Sequence, residues 1–153
     1  VTRYYLDEVL DKADEQRQEG VERVDAITDR VERGAALLVE RGAALLDEKR
    51  PDWWRDIDLE RLELRSPCNC VLGQIGERVY GAATSINLYM DGLDLLRLSP
   101  FQARDFGFDS DADPFDHDLA ADGETAVLAE YAALTEAWRG LIAARREQAL
   151  VTA

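Results

Sequence analysis

Cys68-Asn69-Cys70 holds the only two thiols in the chain. Thiolates can ligate a soft metal or cycle to a disulfide, and a structural zinc site takes about four thiolate or imidazole ligands. One histidine, His117, completes the soft-donor inventory, so the chain is short of donors for such a site. Ser66-Pro67 reads as the N-cap and first position of a helix. On that helix, residues two apart diverge by about 200°. The thiols would then neither share a metal nor bridge without unwinding, although a helix N-terminus lowers a thiol pKa. Cys68, Cys70 and His117 are the candidate metal or redox set.

Asp109-Ser110-Asp111-Ala112-Asp113 imitates the start of a calcium loop. The imitation breaks where Pro114 replaces the required glycine and Ala120 the bidentate glutamate. Asp109, Asp111 and Asp113 are left as a candidate weak site for a hard cation. His117 lies between Asp116 and Asp118, which favour its imidazolium form. No phosphate-binding glycine loop, nucleophile elbow or His-Glu-x-x-His string occurs. No residue is therefore assigned a catalytic role, and no cofactor is expected.

The elements that would carry these residues read as helices. Tyr5, Leu6, Val9, Leu10 and Ala13 form one helical face, and Gly20 either caps a first helix or weakens a continuous one. Beyond it Val24, Val31, Leu38 and Leu45 fall seven apart, beside a small row of Val21, Thr28, Ala35 and Gly42. A large row beside a small one suits close approach by another helix, in this chain or a second copy. Val24, Val31, Ala35, Leu38, Gly42 and Leu45 are the candidate interaction residues. An eight-residue string also repeats, Arg33 to Glu40 and Arg41 to Glu48, a period that drifts about 80° around a helix.

Pro51 stops this helix. Trp53, Trp54 and Trp138 are candidates for sealing a helical core, with an interface as the alternative, and residues 57 to 64 read as short helical turns, with a brief strand as the lesser option. Val71, Leu72, Ile75 and Val79 form the buried face of the helix begun at Ser66. Ile86, Met90 and Leu93 mark another helix. Ser99 and Gln102 make a capping box for a short helix closed by Gly107. The last helix starts near Asp122 and turns Val127, Tyr131, Leu134, Trp138, Leu141 and Arg145 inward, with Arg139, Arg145 and Arg146 toward its C-terminal dipole. The expectation is an all-α fold: a small helical bundle, residues 51–153, with a long N-terminal helix or helical hairpin, residues 1–50, projecting as a coiled-coil-like arm. The C-terminal helix is expected to pack on the helix of Cys70 to Val79.

Several strings, in order, resemble one family: Gly42 to Glu48, Pro51 to Trp54, Ile57-Asp58-Leu59, Cys70 to Gln74, Gly107-Phe108-Asp109 and Leu134 to Trp138. It is a family of small uncharacterised proteins of actinobacteria and their phages, and the likeness covers about residues 41 to 146. It implies a phage or prophage setting and no assigned activity. In the members it resembles, a further cysteine lies slightly farther upstream than Cys68 does here.

The 153 residues carry 18 Lys+Arg against 32 Asp+Glu, a net charge of −14. Such a surface repels phosphate backbones and anionic lipids, which argues against unspecific nucleic-acid or membrane binding. The N-terminus lacks a signal-peptide layout, and two cysteines suit a reducing compartment, so a cytoplasmic location is expected. The leading functional expectation is a non-catalytic interaction protein, self-associating or binding a host protein. The alternatives are an acidic decoy of a nucleic-acid-binding protein and a small metal- or redox-linked protein.

Overall fold

The computed structural model describes the backbone of residues 2–81, 87–110 and 123–152. Within the helices, the side chains of 2–7, 19–30 and 123–125 lie outside the described set. The elements are all helical: α1 (Thr2–Lys49), a 3-10 turn at Trp53–Arg55, α2 (Val71–Tyr80), α3 (Leu88–Leu96), α4 (Pro100–Asp105) and α5 (Gly123–Thr152). Among the described residues there is no strand, and residues 57 to 64 run as turns and irregular chain rather than helix. α1 passes through Gly20 without a break.

α1 and α5 form one layer and run in the same sense. Gly42 abuts the Trp138 ring and, further along both helices in the same direction, Asp47 meets Arg145. α2 and α3 form the second layer as an antiparallel pair. Gly76 lies against the Leu88 carbonyl and Gly92 against that of Leu72, a spacing that any Cβ would prevent. The C-terminal helix therefore takes α1 and the 3-10 turn as its main partners, and the helix of Val71–Tyr80 takes α3. This corrects the pairing expected from matched apolar stripes: a stripe marks a buried face but carries no address.

Three local readings also change. α2 starts at Val71 with Cys70 as its N-cap. Ser66 instead opens a turn, accepting from the Asn69 and Cys70 N–H groups through its carbonyl. Val71, Leu72 and Ile75 are buried, but Val79 is 39% exposed because α3 covers only the first two turns of α2. On α5, Leu134, Trp138 and Ile142 are fully buried, whereas Val127, Tyr131, Leu141 and Arg145 flank them half-buried. α5 continues to Thr152, so its arginines are not in a last turn. Arg139 donates to the Leu62 carbonyl, Arg146 to those of Trp54 and Ile57, and Arg145 to Asp47. They fasten the irregular 54–62 segment and α1 to α5.

Short α4 is held by its ends. Ser99 accepts from the Gln102 N–H while the Gln102 side chain accepts from the Ser99 N–H, a complete capping box. At the other end the Phe108 and Gly107 N–H groups bond the Ala103 and Arg104 carbonyls, with Gly107 at φ 73°. That is a Schellman closure, which needs a left-handed residue and accordingly uses glycine. It drops Phe108 into the core, stacked on Trp138 at 5.3 Å with 14° between planes. Trp53 meets the same indole edge-on at 5.6 Å, and the Trp138 N–H donates to the Gly107 carbonyl at 2.7 Å. One continuous core runs from Ala35 on α1 to Ile142 on α5.

Candidate functional site

Burial along α1 divides it. Every described side chain from Glu8 to Gln18 is exposed, Val9 by 46% and Leu10 by 61%. From Ala35 onward a stripe of Ala35, Val39, Ala43 and Leu46 is buried against the rest of the core. Gly42 lies on this stripe, where an added Cβ would come within 2.1 Å of the Phe106 carbonyl and 2.9 Å of the Trp138 ring. Of the candidate interaction residues, Ala35 and Gly42 are in this intramolecular seam. Val31, Leu38 and Leu45 flank it half-buried, and the side chain of Val24 lies outside the described residues. Sequence reasoning missed Val39, Ala43 and Leu46. Seven-residue rows presume a supercoiled pair at 3.5 residues per turn, whereas a straight helix turns every 3.6 and drifts about 20° per heptad. Counting at steps of three and four from Ala35 would have found them.

Two relations place the exposed residues 8–18 of α1. At equal rise, the register of Gly42 with Trp138 and Asp47 with Arg145 sets Gly123, the start of α5, level with about residue 26 of α1. Leu10 precedes Leu46 by ten full helical turns, so it lies on the same side of α1 as the buried stripe. Leu10 thus lies on the α5 side of α1, N-terminal to the level at which α5 starts.

The thiols are separated by environment. Cys68 is exposed, Cys70 is buried, and both are free. Cys70 Sγ accepts from the Gly73 N–H at 3.2 Å as the cap of α2. Burial pushes its thiol up to about 11, outweighing the hydrogen bonds from the helix N-terminus. The lowering expected from a helix start is therefore reversed. Among the described residues no group of three or more His, Cys, Asp or Glu side chains is placed to hold a metal. His117, Asp111 and Asp113 lie outside the described residues. Asp109 serves a different purpose from a cation ligand: its Oδ1 accepts from the Tyr131 hydroxyl at 2.5 Å and from the Ser110 N–H. Burial and this bond raise Tyr131 to about 12. Tyr89, whose hydroxyl is buried with no hydrogen-bond partner among the described residues, is raised too, first by burial and then by Asp109.

A groove of about 400 Å³ runs between the 62–65 turn and α5, bordered by Leu62, Arg65, Leu128, Tyr131, Thr135 and Arg139. Most of its polar groups already hold the fold. Thr135 Oγ1 accepts from the Leu64 N–H at 3.0 Å and donates to the Tyr131 carbonyl at 2.8 Å. Arg139 is bound to the Leu62 carbonyl and Glu136, and Tyr131 to Asp109. Among the described residues, no nucleophile paired with a base converges on the groove. Gln74 likewise is structural: it accepts from the Asp58 N–H and donates to the Asp58 and Asn69 carbonyls, pinning the 58–69 segment onto α2.

No helix among the described residues is long and apolar enough to cross a membrane. Comparison of the chain with protein-family models, with curated proteins and with solved structures finds no match in any of the three.

Proposed function

We propose that this chain is a non-catalytic interaction protein that self-associates through the N-terminal half of α1, which acts as a coiled-coil-like arm. The observation that carries the reading is the exposure of every described side chain from Glu8 to Gln18, Val9 and Leu10 among them, on the same helix whose Ala35, Val39, Ala43 and Leu46 are buried. An amphipathic helix draws most of its stability from packing its apolar face, and a 48-residue helix whose described side chains from Glu8 to Gln18 are all exposed calls for a partner. The engagement of the groove's polar groups and of Asp109 in the fold speaks for binding over catalysis. The resemblance to proteins of actinobacteria and their phages adds a phage or prophage setting to the proposal. Light scattering across a concentration series tests it: a mass rising toward twice 17.2 kDa is expected. Leu10→Asp should abolish that rise and leave the melting of the body unchanged. A wild type that stays at 17.2 kDa at every concentration rules the reading out.

A further inference from the structure

We infer that the groove between the 62–65 turn and α5 binds a small amphiphilic monocarboxylate, with its carboxylate on Arg65 and its apolar body against Leu128, Ala132 and the ring of Tyr131. The inference is independent of self-association. The groove holds about 400 Å³, within the range of small-molecule sites. Its α5 wall is one helical stripe, since Leu128, Ala132, Thr135 and Arg139 fall at steps of three and four. The 57–64 chain lies along that stripe antiparallel to α5. Ile57 is bound by Arg146, Leu62 by Arg139 and Leu64 by Thr135. Each step along this chain thus moves toward the start of α5, and Arg65 comes next, on the side of Leu128.

Charge divides the groove along its length. Both acids that border it belong to the Arg139 end: Glu136 pairs with Arg139, and Glu63 lies between the Leu62 and Leu64 anchors. At the other end Arg65 is exposed, and among the described residues its guanidinium has no hydrogen bond, ion pair or ring contact. The surface beside it is apolar. Leu128 is 38% exposed, Ala132 is exposed, and the Tyr131 hydroxyl is turned to Asp109, which leaves its ring to the groove. A chain with 32 Asp+Glu against 18 Lys+Arg has no shortage of acids. A cation left unpaired beside an apolar wall therefore suits an anion from outside. A guanidinium holds a carboxylate through two parallel N–H donors, and the wall takes the hydrocarbon out of water. A head of higher negative charge would meet Glu63, two residues away. Leu128 and Thr135 are seven residues apart, about 10 Å at the helical rise. An extended eight-carbon acid, about 9 Å long at bonds of about 1.5 Å, matches that span.

Octanoate is the probe, and octanol is its uncharged counterpart. In a titration followed by amide and methyl NMR shifts, octanoate should saturate and move signals of residues 62–65 and 128–139. A Kd on the order of 1 mM is expected for a ligand of this size. Octanol on the wild type, and octanoate on Arg65→Gln, should each bind about tenfold more weakly, the loss of one charge-assisted hydrogen bond. Arg65 is exposed, so the variant should keep the wild-type fold, which its unshifted remaining signals check. Lys49→Gln removes another exposed cation, one outside the groove, and should leave the Kd unchanged. Absence of any saturable shift at the groove up to about 10 mM octanoate overturns the inference. Equal binding of octanol overturns it too, as does an Arg65→Gln variant that binds like the wild type, because either would show a surface that reads no charge. Equal weakening by Lys49→Gln would show attraction to net charge alone, and overturns it as well.

Discussion

Gly34 and Gly42 occupy the same place in two copies of one eight-residue string, yet a methyl group would meet nothing within 4 Å at the first and the Phe106 carbonyl at the second. The 80° drift of the repeat rotates one copy's glycine to solvent and the other's into the α5 seam. Gly42→Ala is expected to cost about 1–3 kcal/mol by overpacking, and Gly34→Ala to add about 0.5–1 kcal/mol from helix propensity. Denaturant melts of the two variants check the opposite signs. Cys70 offers a second residue-level test. Its folded pKa is about 11, above the ordinary thiol value, so its contribution to stability is complete below about pH 8.5 and fades as pH rises toward 11. In native protein, a thiol reagent at neutral pH should label one group quickly, Cys68, and reach Cys70 only on unfolding; two equally fast thiols would contradict the burial. At Tyr89 the buried hydroxyl has no acceptor among the described residues, and Tyr89→Phe removes the unmet group without changing the ring. A gain of up to about 1–3 kcal/mol is expected on melting.

Between elements, the strongest polar tie joins α1, the 3-10 turn and α5. Arg145 donates to both Asp47 oxygens, at 2.7 and 2.8 Å, and the Trp53 indole N–H donates to Oδ1 at 2.9 Å. The Arg145 bond comes first in holding the Asp47 carboxyl below its ordinary range. A depressed carboxylate stabilises above its unfolded pKa of about 3.9, and that contribution is lost as pH falls through the lower folded value. Asp47→Asn should therefore cost about 0.5–1 kcal/mol at neutral pH, discounted because both partners are partly exposed. The difference from wild type should close below about pH 4, as read by urea midpoints at pH 7 and pH 3. A cost unchanged at pH 3 would mean the site acts through packing instead of charge.

At the scale of the whole molecule, stability should fall along α1 from its C-terminal to its N-terminal half. Amides of residues 39–46 lie in the core that also holds Trp53, Phe108 and Trp138, and those of 8–18 have only helical hydrogen bonds and two exposed ion pairs, Lys12–Glu8 and Arg17–Asp14. Isolated helix of that kind opens at little cost. In dilute solution, hydrogen exchange should protect 39–46 over 8–18 by several orders of magnitude. On the proposed self-association, protection of 8–18 should grow with protein concentration. Uniform protection along α1 at all concentrations would show the arm covered within one chain.

Periodicity, caps and stops act between near neighbours, which is why the all-helical class, the helix stop before Pro51 and the Ser99–Gln102 box were legible in the sequence. Which helix pairs with which was not legible, because the stripe on α5 fits α1 and α2 equally well on paper. The choice fell to Gly42 beneath Trp138 and to the Asp47–Arg145 bond, contacts that span about a hundred residues of chain. The Cys70 cap, the reversed shift of its thiol and the Tyr131–Asp109 bond depend likewise on what other elements exclude from water. A one-dimensional pattern determines which faces are apolar. Only the folded chain decides what covers them, because burial and electrostatic environment belong to the assembled packing and to no segment alone.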